Sequence, residues 1–137
     1  MRLSDDQYCF VCGDLNPRGL HLQFNPTETG GKVESTVRFG PEFQGWKGIV
    51  HGGLVATVLD EIMVKCAEFS GQPCVTAEIR VHYKKPVRVL NEYRLTARIT
   101  GGRQKIITAE SEMFDSEGRP VARAEGKLFV VRKQEKE

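Results

Sequence analysis

Residues 48–60 read Gly-Ile-Val-His-Gly-Gly-Leu-Val-Ala-Thr-Val-Leu-Asp. From Gly53 to about Phe69, apolar residues recur at helical spacing, and the run Gly71-Gln72-Pro73 ends the pattern. The apolar positions cover more than one stripe of this helix, so we expect it to be buried on several sides. The sequence therefore predicts a fold built around one long helix.

Stretches with strand periodicity lie on both sides of the predicted helix. Before it, apolar residues alternate over about 20–25 and from Val33 to Phe39, with a turn at Gly30-Gly31 between them and a loop over 41–48. Four strands are predicted after it: an alternating run of Val75, Ala77, Ile79, Val81 and Tyr83, a run of Tyr93, Leu95, Ala97 and Ile99 that turns at Gly101-Gly102, a third strand over about 104–114 and a fourth over about 121–132.

Together these elements predict a single α+β domain, residues 1–137. An antiparallel sheet with one apolar face can wrap a long helix, which is the hotdog arrangement. Residues 1–19 would form an N-terminal extension, and the charged residues 133–137 a frayed tail. A helix face or sheet edge left uncovered needs a partner, so we expect a homodimer or a dimer of dimers.

The composition is that of a soluble globular domain, with 28% charged and 39% hydrophobic residues. A formal net charge of +2 provides no basic field for nucleic acid. The longest apolar stretch falls short of the roughly 20 residues of a membrane helix, and the polar start has no secretory pattern. The four cysteines follow no secreted spacing. We therefore expect a cytoplasmic protein that binds neither nucleic acid nor membrane.

The run His51-Gly52-Gly53 at the predicted helix start can bind a developing negative charge. Glycines let the backbone approach a ligand closely, and the free N–H groups of a helix start favour an anion. Such a site can hold the oxygen of a thioester carbonyl as it becomes an oxyanion. The alternative interpretation is a tight turn without chemistry.

Asp60 follows His51 by nine residues and lies within an apolar helical run. A carboxylate in a largely buried helix is costly unless it is paired or functional, so Asp60 is a candidate nucleophile or general base. The adjacent Glu61 points about 100° away around the helix, so only one of the two should face a given site. The alternative for Asp60 is a salt bridge or an exposed helix face.

The stretch from His51 to Asp60 resembles the signature of hotdog thioesterases of the phenylacetyl-CoA (PaaI) type. The loop Phe43-Gln44-Gly45-Trp46-Lys47-Gly48 and the stretch over 75–86, which ends in Tyr83-Lys84-Lys85-Pro86, are also similar to that family. The N-terminal Cys9-Phe10-Val11-Cys12-Gly13 and Asn16-Pro17-Arg18-Gly19-Leu20 occur in one of its branches. The resemblance covers roughly residues 9–130.

The resemblance implies roles for individual residues. Asp60 would be the nucleophile or general base, and the Gly52 amide, assisted by Gly53, would polarise the thioester carbonyl. His51 would orient the loop or the carbonyl, and Thr76 would place the attacking water. Asp60 and Thr76 would come from one subunit, and His51 and Gly52 from its neighbour.

One position departs from the family pattern. Some relatives have an asparagine six residues before the histidine, where this chain has Gly45. The adjacent Gln44 is a candidate substitute, and a plain surface role for Gln44 is the alternative.

Further candidates would bind the substrate. Trp46 would cover an acyl pocket or simply pack the loop. Coenzyme A carries phosphates, so a basic rim is expected, with candidates Lys84, Lys85, Arg88, Arg103 and Lys105. Cys9 and Cys12 have the spacing of metal ligands, but a structural zinc site normally needs four ligands and the sequence offers no second such pair. A packed knuckle without metal is therefore predicted, and a metal site and a redox pair are the alternatives.

The predicted function is hydrolysis of an acyl-CoA thioester to a free acid and coenzyme A. No cofactor is expected, because coenzyme A is part of the substrate. Two alternatives stay open: a non-catalytic acyl-CoA-binding hotdog module, which would not need Asp60, and an enoyl-thioester hydratase or dehydratase, whose signatures are missing from the sequence.

Overall fold

The predicted central helix is present in the computed structural model, which describes residues 1–27 and 31–133 (backbone only for 132 and 133). Helix α1 spans Gly52–Phe69, within one residue of the predicted start. None of its residues from Leu54 to Glu68 is fully exposed. The expectation of a helix buried on several sides is therefore confirmed. Its buried residues are Val55, Val58, Leu59, Ile62, Met63, Cys66 and Ala67.

A six-stranded antiparallel sheet wraps this helix in the order β2-β3-β5-β6-β7-β4. The strands are β2 (Asn25–Pro26), β3 (Lys32–Arg38), β4 (Cys74–Tyr83), β5 (Glu92–Arg103), β6 (Ile106–Phe114) and β7 (Pro120–Val130). A short parallel pair joins β1 (Arg2–Leu3) to β8 (Arg132–Lys133), and a 3-10 turn spans Pro41–Phe43.

One apolar face of the sheet packs against α1, so the predicted α+β hotdog arrangement is confirmed. Strands β3 to β7 all contact the helix. The buried Ser111 of β6 donates its hydroxyl to the carbonyl oxygen of Leu59 at 2.8 Å. This bond fixes the depth and rotation of the helix one residue before Asp60.

Strand β4 corrects the predicted alternation. Its pairing with β7 shifts between Thr76 and Glu78, which leaves Ala77 as an extra, bulged residue. Thr76 pairs with Leu128, and Ile79 pairs with Gly126, two residues earlier in the same β7 face. The helix-facing positions of β4 are therefore 76, 79, 81 and 83, and the predicted membership of Val75 and Ala77 in that face is wrong.

Three other boundaries differ from the prediction or lie outside the described residues. Residues 20–24 form no strand, because their backbone bonds follow the N-terminal segment, as in the Leu22 N–H donating to the Val11 carbonyl at 2.9 Å. Strand β5 continues through Gly101 and Gly102 to Arg103, where a register shift after Ile99 accommodates the glycines. The predicted turn at Gly30-Gly31 lies partly outside the described residues, as do residues 134–137 of the predicted tail, whose first residue ends β8.

Residues 9–13 of the N-terminal segment form an irregular knuckle that packs against the core and contacts Glu61 of α1. Val11 is buried, and the Gly13 N–H donates to the Cys9 carbonyl at 2.9 Å. Within the described residues, no helix has the length and apolar content needed to cross a bilayer.

Candidate active site

The start of α1 is capped by His51. Its ring Nδ1 accepts a hydrogen bond from the Gly53 N–H at 3.0 Å, and its carbonyl oxygen accepts from the N–H groups of Leu54 and Val55. A ring nitrogen that accepts a hydrogen bond carries no proton, so the neutral His51 ring holds its proton on Nε2. His51 thereby orders the helix start, and its Nε2–H has no hydrogen-bond partner within the described part of the chain.

The N–H of Gly52 is the remaining donor of the first helical turn. It has no hydrogen-bond partner among the residues that the structure describes. The Gly53 N–H, predicted to assist Gly52, is instead occupied by the His51 ring. A Cβ at Gly53 would lie 3.1 Å from that Nδ1, so glycine permits the close cap. Among the described residues, the Gly52 amide is therefore the donor of this helix start that stays without a partner.

Tyr83 is a site residue that the sequence analysis missed. Its hydroxyl donates to the Gly52 carbonyl oxygen at 2.6 Å, and its ring carbons lie 3.6 Å from where a Gly52 Cβ would be. The end of β4 is thus fastened to the start of α1. The sequence could have indicated this role, because Tyr83 is an aromatic residue at the end of a predicted strand, directly before Lys84 and Lys85.

A surface cleft with a volume of about 730 Å³ opens at this helix start. Predicted site residues on its wall are Trp46, His51, Gly52, Lys84 and Lys85, and Tyr83 joins them. The Trp46 side chain is 84% exposed, so a single chain gives it almost no packing partner. The cleft combines an apolar ring, a backbone donor and two cations.

Gln44 and Arg88 are not on the wall of this cleft. The Gln44 side-chain oxygen accepts from the Gly48 N–H at 3.0 Å and so closes the loop that carries Trp46. The exposed Arg88 pairs its backbone with Ile49. Gln44 therefore acts on the cleft indirectly, by holding the loop that carries Trp46.

Asp60 and Thr76 form a second centre. The Thr76 hydroxyl donates to Oδ1 of the half-buried Asp60 at 2.5 Å. Burial raises the pKa of the Asp60 carboxyl above its usual range, and the Thr76 hydrogen bond opposes that rise. Among the residues that the structure describes, Thr76 is the one donor to this carboxylate, and Oδ2 accepts no hydrogen bond.

The two centres are separate within one chain. Asp60 follows Gly52 by eight residues on the same helix, which corresponds to about 12 Å along the axis. Asp60 is not among the residues that form the wall of the cleft.

Glu61 lies in different surroundings from Asp60. Its carboxylate accepts from the thiols of Cys9 and Cys12 in the N-terminal segment, each at 3.7 Å. Burial raises the pKa of Glu61, and burial with the neighbouring Cys9 and Glu61 raises the pKa of Cys12 to about 12. The N-terminal segment thus contacts Glu61, whereas Asp60 contacts Thr76 of β4.

The helix, the wrapping sheet and the glycine-opened helix start define a hotdog-fold protein. The family model described as "Thioesterase superfamily" matches residues 47–122, more than half of the chain. The chain belongs to the thioesterase superfamily, which confirms the family suggested by the sequence motifs.

Individual relatives agree with this assignment. The chain is 42% identical over 91 residues to the acyl-coenzyme A thioesterase THEM4 of Rattus norvegicus, covering 66% of this chain and 30% of the relative. The crystal structure of another thioesterase superfamily protein superposes with a TM-score of 0.84 at 26% identity, covering 91% of this chain and 61% of that one. The Escherichia coli PaaI protein of the phenylacetic acid degradation operon has the same fold, with a TM-score of 0.74 at 15% identity and coverages of 80% and 83%. The chain spans about a third of the length of its THEM4 relative.

Proposed function

We propose that the protein hydrolyses an acyl-CoA thioester to a free carboxylic acid and coenzyme A. The observation that carries this proposal is the half-buried Asp60 carboxylate, oriented by the Thr76 hydroxyl at 2.5 Å. Because burial raises the pKa of Asp60, its carboxylate is a better base toward water than an exposed aspartate. The relationship to an acyl-coenzyme A thioesterase supports the substrate class.

The Gly52 amide would bind the thioester carbonyl oxygen. Its N–H has no partner among the described residues and lies at the positive end of the α1 dipole, where it can stabilise the charge that develops on that oxygen. His51 keeps this helix start ordered, and its Nε2–H is a second donor within the same cleft.

Two routes lead from this arrangement to the products. In the first, Asp60 accepts a proton from water as the water oxygen attacks the carbonyl carbon, and the tetrahedral intermediate then expels the coenzyme A thiolate, which takes that proton from Asp60. In the second, the Asp60 carboxylate attacks the carbonyl carbon, the thiolate leaves, and water hydrolyses the resulting mixed anhydride. Neither route uses a cofactor beyond the substrate.

The Gly52 cleft of one subunit would meet the Asp60–Thr76 pair of its neighbour in a homodimer. Strand β4 carries Thr76 and lies at the edge of the sheet, so its outer backbone groups are available for pairing with a second β4. Such pairing would bring Asp60 of one chain toward the Gly52 end of the other. Whether two such dimers then associate is a separate prediction.

The cations and the exposed indole beside the cleft would bind the rest of the substrate. Lys84 and Lys85 line the cleft with exposed side chains and can pair with the phosphates of coenzyme A. Trp46 can cover the acyl or pantetheine portion.

A cytoplasmic location stays a prediction from the sequence.

Thiol release from a panel of aryl- and alkyl-CoA thioesters tests the proposed function. We expect turnover of at least one class, and Asp60→Asn should lower it about 10²–10⁴-fold. Glu68→Gln is the matched control, because it makes the same carboxylate-to-amide change at another half-buried position of the same helix. Near-wild-type turnover by Asp60→Asn would contradict the role of Asp60.

The same panel separates the alternatives. Binding of acyl-CoA without thiol release by any substrate would favour a non-catalytic module, and formation of a 3-hydroxyacyl product from a crotonyl thioester would favour a hydratase. A single turnover in ¹⁸O-labelled water separates the two routes, because only the anhydride route puts label into Asp60.

A further inference from the structure

Two thiols and one carboxylate converge at the knuckle on α1. The sulfur atoms of Cys9 and Cys12 lie 3.7 Å from oxygens of Glu61, and one ligand atom from each of the three residues lies within 4.8 Å of the others. Glu61 lies about fifty residues after the two cysteines in the chain. Neither of the two catalytic centres proposed above uses them.

The knuckle backbone is built to bring the two thiols together. The Gly13 N–H donates to the Cys9 carbonyl at 2.9 Å, and a Cβ at Gly13 would lie 2.3 Å from the Cys9 nitrogen. Only glycine fits a turn this tight. The buried Val11 between the two cysteines anchors the knuckle in the core, so its position on α1 is fixed.

Hydrogen bonds within the cluster offset little of the desolvation cost of the Glu61 carboxylate. Among the residues described by the structure, the Glu61 carboxylate accepts hydrogen bonds only from the two thiols, which are weak donors. A half-buried carboxylate with weak donors keeps much of its desolvation cost. Lys65, one helical turn further on, contributes attraction to both Glu61 and Cys12.

We propose that Cys9, Cys12 and Glu61 bind a zinc ion that fastens the N-terminal segment to the central helix. Zinc bonds of about 2.3 Å to sulfur and 2.0–2.2 Å to oxygen at tetrahedral angles give a sulfur-to-oxygen edge of about 3.6 Å. The sulfur-to-oxygen separations of 3.7 Å match that edge. Two soft thiolates and one carboxylate are ligands that zinc accepts and magnesium or calcium does not favour.

The charge balance also fits a divalent cation. Two thiolates and one carboxylate exceed the charge of zinc by one, and the Lys65 ammonium group, which also pairs with Glu68 at 3.3 Å, offsets part of this excess negative charge. Binding would release the two thiol protons to solvent. A small cavity of about 220 Å³ is lined by Cys12 and Lys65, so the Cys12 side of the cluster can be reached from solvent. Water would be the fourth ligand of the zinc ion.

Metal content and cobalt substitution of tag-free, reduced protein test this site. We expect about one zinc per chain after dialysis against a weak chelator, and cobalt should give a thiolate-to-cobalt charge-transfer band with tetrahedral visible bands. The double variant Cys9→Ser/Cys12→Ser and the variant Glu61→Gln should lose the retained zinc. Cys74→Ala and Glu68→Gln are the controls and should retain it.

Zinc should also raise the melting temperature of the metal-depleted wild type, and this shift should vanish in Cys9→Ser/Cys12→Ser. The cobalt spectrum is measured on the wild type, so it decides the matter even if a variant fails to fold. A wild-type protein without the thiolate band, or with zinc content no higher than that of the double variant, would overturn the site. A Cys9–Cys12 disulfide that persists in the protein isolated without reductant would overturn it in favour of a redox pair.

Discussion

The Thr76 hydroxyl donates to Oδ1 of Asp60 at 2.5 Å across the contact between β4 and α1. The bulge at Ala77 makes this contact possible, because it turns Thr76 toward the helix while Ile79 beyond it also faces the helix. A regular strand would have sent one of them to the outer face. The bulge therefore places the Thr76 hydroxyl on the helix-facing side of β4, opposite Asp60 of α1.

Removing this donor should shift the pH dependence of hydrolysis. The proposed chemistry needs the Asp60 carboxylate, so activity should fall as pH drops through its raised pKa. The Thr76 hydrogen bond stabilises the charged form, so Thr76→Val should raise the pKa further and move the acid limb of the kcat/KM profile to higher pH. Thr76→Ser keeps the hydroxyl and should keep the acid limb close to that of the wild type. An unmoved limb in Thr76→Val would contradict the coupling.

Replacing Asp60 should stabilise the fold at neutral pH. Because the folded-state pKa of Asp60 is raised, its ionised form costs stability at pH values above that pKa. The cost shrinks as pH falls through the folded-state pKa and is gone below the unfolded-state pKa. Asp60→Asn should therefore melt at a higher temperature than the wild type at neutral pH, and the difference should shrink at acidic pH. Thermal unfolding at both pH values measures this. If the melting temperatures of the two proteins differ equally at both pH values, the stability gained by Asp60→Asn does not come from removing the charge of Asp60.

The sequence predicted the architecture better than the details of the site. Helical and alternating patterns placed α1 and the strands after it, because those elements bury apolar faces with a regular period. The same regularity led to the wrong face for Val75 and Ala77, because a one-residue bulge leaves no trace in an apolar pattern.

The contacts of the site depended on long-range packing. Histidine is not one of the usual N-cap residues, so the hydrogen bond from the Gly53 N–H to the His51 ring could not be predicted from the sequence. The thiol contacts of Glu61 join residues about fifty positions apart, which spacing alone cannot reveal. Thr76 was assigned only through family resemblance.

The Gly52 amide can be removed with little change in backbone shape. Gly52 is the first residue of α1, where proline is tolerated, and the preceding His51 has ψ of 129°, which suits a residue before proline. Gly52→Pro should fold and lower kcat about 10²–10³-fold, because the oxyanion loses its donor. Gly52→Ala keeps the N–H, and its Cβ would make an ordinary 3.6 Å contact with Tyr83, so it should lose far less. Equal losses in the two folded variants would point to steric blocking of the cleft.

Mixing two inactive variants tests whether the site is shared between subunits. A dimer of one Asp60→Asn chain and one Gly52→Pro chain has one site with an intact Gly52 amide and an intact Asp60, if the two come from different chains. Random exchange makes half of the dimers mixed, so about one quarter of the wild-type activity should return. A site completed within one chain would leave every mixed dimer inactive, because each chain carries one lesion. Light scattering of the mixture confirms that dimers are present, and a mixture of Asp60→Asn with Thr76→Val chains, whose changes fall in the same half-site, should restore no activity beyond that of its two components.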